Sequence, residues 1–212
     1  NMTYIIIISI IISYISNKQI YIICKELNKN RIITISIYLI TTISMILIYY
    51  KYGITIESTK YLSLIPFIII ISIIDYKTTY IYDITLLSGI IVQGAIFLVT
   101  INSKASSISN AVALLIGLIV PFILAKTTKG LGEGDIGLFG LCCFALGNNY
   151  SLYLISLSFV LASIYCMCVL LLKKGKVRKI PFAPFISLAT IMIILTKYDL
   201  LKIYFYNVNR LF

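Results

Sequence analysis

Residues 150–172 read YSLYLISLSFVLASIYCMCVLLL and contain no charged side chain. A helix needs about 20 consecutive, predominantly apolar residues to cross the hydrocarbon of a bilayer, and residues 32–50 form a second run of similar length. Backbone groups in lipid must be paired within the segment, and the short alternating pattern of a transmembrane β-barrel is absent from both runs. These stretches therefore predict membrane-spanning helices rather than strands.

The composition of the whole chain extends this prediction. Of its 212 residues 60% are hydrophobic, against about 45–50% in an ordinary soluble domain. The net charge of +11 comes from basic residues between apolar runs, which indicates membrane topology and not nucleic-acid binding. We predict a single transmembrane domain over residues 1–212, folded as an all-α polytopic bundle of about eight helices, with a range of roughly six to eight.

The apolar runs place these helices along the chain. The predicted spans cover about 3–23, 32–50, 60–74, 84–102, 109–127, 136–148, 150–172 and 184–197. We expect polar residues 16–19 to interrupt the first span, which has no signal-peptide cleavage pattern and is predicted to be retained. The basic run KKGKVRK at 173–179 follows the seventh span and favours the cytoplasmic side for that end. The connections after the first, third, fifth and seventh spans are then cytoplasmic, and the acids described below lie at this face. The connections after the second, fourth and sixth spans lie outside.

Several chemistries are disfavoured by the residue types present. The chain has no histidine, which excludes Ser–His and Cys–His catalysis and His-ligated metals. Its five cysteines show no paired CxxC spacing and four lie in apolar runs, where a free cysteine behaves as a small hydrophobe; they are Cys24, Cys142, Cys143, Cys166 and Cys168. We predict no metal site.

Four of the seven acidic residues fall at two places where a predicted span meets the cytoplasmic face. Asp75 and Asp83 lie in SIIDYKTTYIYD, and Glu133 and Asp135 lie in GLGEGD. One interpretation is that they are interfacial charges, with Asp135 capping the following helix. The other is functional, because an ionisable group at membrane depth is costly and usually has a role.

Three glycines around Asp135 favour the functional interpretation. Gly130, Gly132 and Gly134 permit dihedrals that other residues avoid, and they permit close approach of another backbone. Two carboxylates held near each other cannot both ionise easily, so one acts as a base on water and the other as an acid toward the peptide. We therefore expect a carboxylate pair that hydrolyses peptides without a cofactor.

Three motifs resemble those of a known family. Gly132-Glu133-Gly134-Asp135 fits the GxGD motif of intramembrane aspartyl proteases. Asp75, with Ile81 and Asp83 after it, resembles the D-x5-I-P-D region of bacterial type IV prepilin peptidases. The sequence PFAPF at 181–185 is similar to the P-F-G-P-F near that family's last span. The order and spacing agree over about residues 65–190.

The resemblance implies a membrane aspartic endopeptidase that removes the basic leader from type IV prepilins or pseudopilins. It implies a multi-pass protein of the bacterial cytoplasmic membrane, with its active site facing the cytoplasm. The implied partners are prepilins and the lipid bilayer, and nucleic acid has no implied role. By carry-over, Asp75 and Asp135 are the catalytic pair. The residues carried over in supporting roles are Asp83, Gly132, Glu133, Gly134, Pro181, Phe182 and Pro184. For 181–185, a bend that starts the last span is favoured over direct substrate contact.

The chain also departs from the family pattern. Tyr82 replaces a proline, Gly137 stands where a lysine is common, and Ala183 replaces a glycine. The cysteine-rich zinc-binding insert is missing between the first two spans, so the chain resembles a short form. Many members also methylate the new N-terminus with S-adenosylmethionine, and this sequence leaves methyl transfer open.

Two alternatives stay open at this point. Tyr82-Asp83 mimics the YD motif of presenilin and signal-peptide-peptidase-like GxGD proteases, which would make Asp83 the partner of Asp135. A small ion- or proton-coupled membrane transporter would also use intramembrane acids. Acids at span ends and the absence of a visible repeat make the transporter the weaker alternative.

Overall fold

The architecture is taken from a computed structural model, which describes residues 2–23, 31–100, 104–128, 130–172 and 180–196. Within these ranges the chain forms eight α-helices and no strand. The helices are α1 Met2–Ile23, α2 Arg31–Tyr52, α3 Ile56–Thr78, α4 Asp83–Thr100, α5 Lys104–Thr128, α6 Glu133–Leu146, α7 Asn148–Leu172 and α8 Ala183–Thr196. The basic run 173–179, Cys24 and Lys129 lie outside the described residues.

The helices confirm the predicted all-α polytopic bundle. Five are long and apolar enough to cross a membrane, and they fall within α2, α3, α4, α5 and α7. Shorter apolar stretches occupy Ile6–Ile20 of α1 and Ala183–Thr196 of α8. The sixth helix is short, as the sequence predicts, with 14 residues.

The predicted interruption of the first span is wrong, because α1 continues through residues 16–19. Ser13 and Ser16 are buried. The Ser13 hydroxyl donates a 2.7 Å hydrogen bond to the carbonyl oxygen of Ser9 and forms a short bond with Thr41 on α2. Hydroxyl groups satisfied in this way are compatible with a continuous helix that packs against another helix in a membrane.

The centre of the bundle is built around α3, which packs against α1, α2, α4, α6 and α8. Its apolar side chains join those of α6, α7 and α8 in one buried core that includes Leu64, Ile68, Phe139 and Ile186. The short helix α6 also packs against α4, α5 and α7. Its first turn is therefore held on several sides.

Glycines bring α5 and α6 into close contact. A Cβ atom at Gly117 of α5 would lie 2.7 Å from Cys143 Cβ and 2.9 Å from the carbonyl oxygen of Phe139. A Cβ atom at Gly140 of α6 would lie 2.7 Å from Leu118 Cδ2. Small residues at such contacts let membrane helices approach closely. This packing fixes the depth of α6 in the bundle.

Candidate active site

Asp75 lies near the C-terminal end of α3 and is 5% exposed. Its Oδ2 atom accepts a 3.0 Å hydrogen bond from the backbone N–H of Ala183, the first residue of α8. The first N–H groups of a helix have no intrahelical acceptor, and the helix dipole there favours negative charge. The start of α8 thus stabilises an ionised Asp75.

The PFAPF segment builds this helix start. The backbone N–H of Phe185 donates to the carbonyl oxygen of Phe182 at 3.0 Å, and Ile186 N–H donates to the same oxygen at 3.3 Å. Pro184 stands in the first turn of α8, where a missing N–H removes no intrahelical bond. The segment forms a helix start, as expected, and that start also carries the donor for Asp75.

A pair of hydroxyl groups joins α3 and α8 below this contact. Ser72 Oγ and Ser187 Oγ lie 2.5 Å apart. Ser72 Oγ also donates to the Ile68 carbonyl oxygen at 2.6 Å, and Ser187 Oγ donates to the same oxygen at 3.1 Å. These bonds fix the start of α8 against the turn of α3 that precedes Asp75.

Asp135 lies in the first turn of α6 and is 9% exposed. Its Oδ2 atom accepts a 3.2 Å hydrogen bond from the N–H of Gly132, and its own N–H donates to the Gly132 carbonyl oxygen at 3.2 Å. The capping role considered from the sequence is therefore present. The other carboxylate oxygen, Oδ1, is buried without a hydrogen-bond partner among the described residues.

The expected glycine dihedrals are not found around Asp135. Gly132 has φ −75° and ψ 153°, values that any residue adopts, and the glycines with positive φ in the described chain are Gly53 and Gly147. Close approach is the observed reason instead. A Cβ atom at Gly134 would lie 2.7 Å from Ile81 Cβ, and one at Gly132 would lie 3.2 Å from Asp135 Oδ2.

Ile81 connects the two aspartate regions. It is buried in the connection between α3 and α4, where it packs against Gly134. The connection that follows Asp75 thus contacts the turn that carries Asp135. This contact explains why an isoleucine and a glycine occur at these two motif positions.

Asp75 and Asp135 line one cavity of about 1190 Å³. Ligand pockets commonly span about 300–1,000 Å³, so this cavity has room for several residues of a peptide. Its wall is formed by the end of α3, the segment before α6, one face of α7 and the segment before α8. The lining residues besides the two aspartates are Thr79, Gly130, Leu131, Gly132, Phe159, Ala162, Ser163, Cys166, Met167, Leu170, Leu171, Ile180, Pro181 and Phe182.

The surroundings of Asp135 favour its protonated form. Asp135 is the third residue of α6, and this 14-residue helix is not one of the five helices that are long enough to cross a membrane. Burial, together with the charge of the nearby Asp75, raises the pKa of Asp135 to about 7, and the hydrogen bond from Gly132 opposes this rise. The two carboxyl groups therefore have different environments within the same cavity.

The remaining residues predicted for the site divide into two groups. Pro181 and Phe182 line the cavity. Asp83, at the start of α4, and Glu133 are exposed and lie outside the cavity lining. The placement of Asp83 weakens the presenilin-like alternative, in which Asp83 would pair with Asp135.

The sequence interpretation did not include the α7 wall of the cavity. Its residues Phe159, Ala162, Ser163, Cys166 and Met167 recur at helical spacing. That periodicity marks one helix face, but no charged residue or motif distinguishes it from ordinary lipid-facing surface. The sequence interpretation also missed Thr79, which lines the cavity, because its left-handed backbone conformation leaves no signal in the sequence.

The cavity offers acid–base chemistry. Two buried carboxyl groups in one cavity, of which Asp75 accepts a hydrogen bond from a helix start, match the arrangement that activates water and protonates a carbonyl. Among the described residues no cluster of three His, Cys, Asp or Glu side chains is placed to hold a metal ion. The cavity thus brings together the two carboxyl groups that the sequence analysis singled out.

Comparison with known proteins gives the family. The model of the type IV leader peptidase family matches residues 62–167, which is half of the chain. The chain belongs to the type IV leader peptidase family. This leader-peptidase match contains both Asp75 and Asp135 and ends before α8, which supplies the donor to Asp75. No curated protein and no solved structure matches the chain.

Proposed function

We propose that this multi-pass membrane peptidase is an aspartic endopeptidase that removes the basic leader from type IV prepilins or pseudopilins. The observation that carries the proposal is the joint placement of Asp75 and Asp135 in one cavity. Family membership supports peptidase activity. The proposal adds the aspartic mechanism and the class of substrate.

The different surroundings of the two acids assign their roles. Asp75 is the general base, because its Oδ2 atom accepts a hydrogen bond from the N–H of Ala183 at a helix start, whereas Oδ1 of Asp135 has no donor among the described residues. Asp135 is the general acid, since its raised pKa of about 7 keeps a proton available near neutral pH. Its Oδ1 atom, without a partner among the described residues, is free to face a substrate carbonyl or a water molecule.

The reaction follows from this assignment. Asp75 takes a proton from water as the water oxygen bonds to the scissile carbonyl carbon, and Asp135 gives its proton to the carbonyl oxygen. The resulting gem-diol collapses as its C–N bond breaks. Asp75 transfers its proton to the leaving amine, and Asp135 recovers a proton from the gem-diol hydroxyl group. Neither acid forms a covalent bond to the substrate.

The location of the acids fits the proposed substrate. The end of α3, the start of α6 and the start of α8 meet at one end of the bundle. Basic residues in the sequence favour the cytoplasmic side for that end. A prepilin carries a basic leader on that side and an apolar helix in the bilayer, so the membrane fixes the depth of its scissile bond. The exposed acid Glu133, two residues before Asp135, adds negative charge beside the candidate site.

The test is co-expression with an epitope-tagged type IV prepilin. We expect wild type to remove the leader, and Asp75→Asn and Asp135→Asn to accumulate precursor while remaining in the membrane. Asp83→Asn is the matched control, because Asp83 is exposed outside the cavity. Equal processing by wild type and both catalytic variants would reject the carboxylate pair.

The same experiment examines the open alternatives. A product heavier by one methyl group would add N-methylation with S-adenosylmethionine. Loss of activity on Asp83→Asn with retention on Asp75→Asn would instead support the presenilin-like pairing. A protein that processes no prepilin but drives Asp135-dependent proton uptake in liposomes would support a transporter.

A further inference from the structure

Thr79 has an unusual backbone conformation for its residue type. Its φ of 53° and ψ of 33° lie in the left-handed region, and it is the one non-glycine residue with positive φ in the described chain. A β-branched residue in this region is a genuine outlier, because its side chain crowds the backbone. The described chain uses glycine at its other two positive-φ positions, Gly53 and Gly147.

This outlier lies beside the catalytic pair. Thr79 ends α3, and its N–H donates a 2.7 Å hydrogen bond to the carbonyl oxygen of Asp75. Its side chain is exposed, and the residue lines the same cavity as Asp75 and Asp135. A glycine would end the helix with less strain. A strained residue at a functional cavity suggests that its side chain has a use there.

The hydroxyl of Thr79 is available for a ligand. Among the described residues it makes no hydrogen bond, whereas Ser163, the other hydroxyl-bearing side chain in the lining, donates to the Phe159 carbonyl oxygen at 2.7 Å. The neighbouring Thr78 is also committed, with bonds to the carbonyl oxygens of Ile74 at 2.8 Å and Tyr80 at 3.2 Å.

We propose that Thr79 is a substrate-binding residue whose hydroxyl donates a hydrogen bond to a backbone carbonyl of the peptide beside the scissile bond. The inference rests on the proposed function. A peptide must present an accessible bond to the two carboxyl groups, so its neighbouring carbonyl groups lose helical and water partners on entering the cavity. A buried carbonyl left without a donor is costly, and Thr79 offers a donor one turn from Asp75.

Four variants separate this role from a structural one. Thr79→Val keeps the branched shape and removes the hydroxyl, Thr79→Ser keeps the hydroxyl, and Thr79→Gly removes both strain and hydroxyl. Thr78→Val is the matched control, because the same chemical change occurs at a residue outside the cavity lining. Each purified protein is assayed with a prepilin for kcat and KM, and its unfolding temperature in detergent is measured.

We expect Thr79→Val to lower kcat/KM roughly three- to tenfold, the loss of one neutral hydrogen bond. Thr79→Ser and Thr78→Val should stay within about twofold of wild type. Thr79→Gly should unfold at a higher temperature than wild type while losing as much activity as Thr79→Val. A stabilised but impaired enzyme is an outcome that a purely structural role for Thr79 does not produce.

Two results would overturn the inference in distinguishable ways. Cleavage by Thr79→Val and Thr79→Gly at wild-type kcat/KM would reject Thr79 as a substrate-binding residue and leave the proposed function intact. Failure of wild type itself to cleave any prepilin would reject the proposed function together with this inference.

Discussion

The Asp75 carboxylate accepts a hydrogen bond from the Ala183 backbone N–H, although 108 residues separate them along the chain. Asp75 belongs to a membrane-spanning helix, and Ala183 is the first residue of α8. The candidate base is thus positioned by an element outside the part of the chain that matches the family model. This relationship makes the start of α8 part of the candidate active site.

Replacing Ala183 by proline removes the N–H that Asp75 accepts. Proline suits the first position of a helix, so α8 should still form. Hydrogen bonds to charged groups contribute about 1.5–3 kcal/mol, and we expect a loss in kcat of roughly 10- to 100-fold. The loss in kcat is measured from the rate at which purified protein cleaves a prepilin.

Bulk at this buried position requires its own control. Ala183→Val adds volume but keeps the N–H, and Ala183→Gly keeps the N–H without added volume. If Ala183→Pro were no slower than Ala183→Val, the hydrogen bond to Asp75 would have no catalytic importance.

Adding a methyl group at Gly134 should disturb the turn that carries Asp135. The new Cβ would lie 2.7 Å from Ile81 Cβ, and overpacking of this kind costs about 1–3 kcal/mol. We expect Gly134→Ala to lower both the unfolding temperature in detergent and the cleavage rate. Gly94→Ala is the control, since a Cβ there meets nothing within 4 Å. Equal stability of the two variants would show that Gly134 and Ile81 do not constrain each other.

The protonation of Asp135 predicts how stability depends on pH. Because its pKa rises from 3.8 to about 7 on folding, the folded protein keeps a proton that the unfolded chain has lost. The contribution of Asp135 to the free energy of unfolding is therefore fully present below about pH 4. It is lost as pH rises to about 7, at about 1.4 kcal/mol per pH unit.

Asp135→Asn lacks this dependence. Its stability advantage over wild type should grow between about pH 4 and 7 and then level off. Thermal unfolding of both proteins across this pH range measures the difference in stability. A constant difference between the two proteins would contradict the burial of an ionisable Asp135.

Thiol reagents should report on access to the cavity. Cys166 is partly exposed and lines the cavity, whereas Cys168 is exposed but is not part of the lining. We expect a bulky maleimide to block prepilin cleavage in wild type and in Cys168→Ser, and to leave Cys166→Ser active. Excess substrate should slow the inactivation. Inhibition that persists in Cys166→Ser would place the sensitive thiol elsewhere.

Most of the helical architecture was predictable, because long apolar runs separate short polar connections. The error in α1 is instructive. Ser16 and the polar residues after it suggested a break, but serine hydroxyls find partners on their own helix or its neighbour, as the contacts of Ser13 with Ser9 and Thr41 show. Polar residues alone do not end a helix.

The site was predictable only in part. The motifs identified Asp75 and Asp135 as candidates, and the structure brings both into one cavity. The role given to Gly132 through special dihedrals was wrong, since its φ is ordinary. The donor at Ala183, the positive φ of Thr79 and the α7 wall depend on contacts and torsions that leave no local pattern in the sequence.

The bond between Asp75 and Ala183 also sets an order of events during biosynthesis. At about 5–20 residues per second, a ribosome adds the 108 residues from 76 to 183 in roughly 5–20 s. Throughout that interval Asp75 is already part of the nascent chain, but the helix start that orients it does not yet exist. The peptidase is therefore expected to acquire its activity only after α8 has been made and inserted, so unfinished chains would not cleave peptides around them.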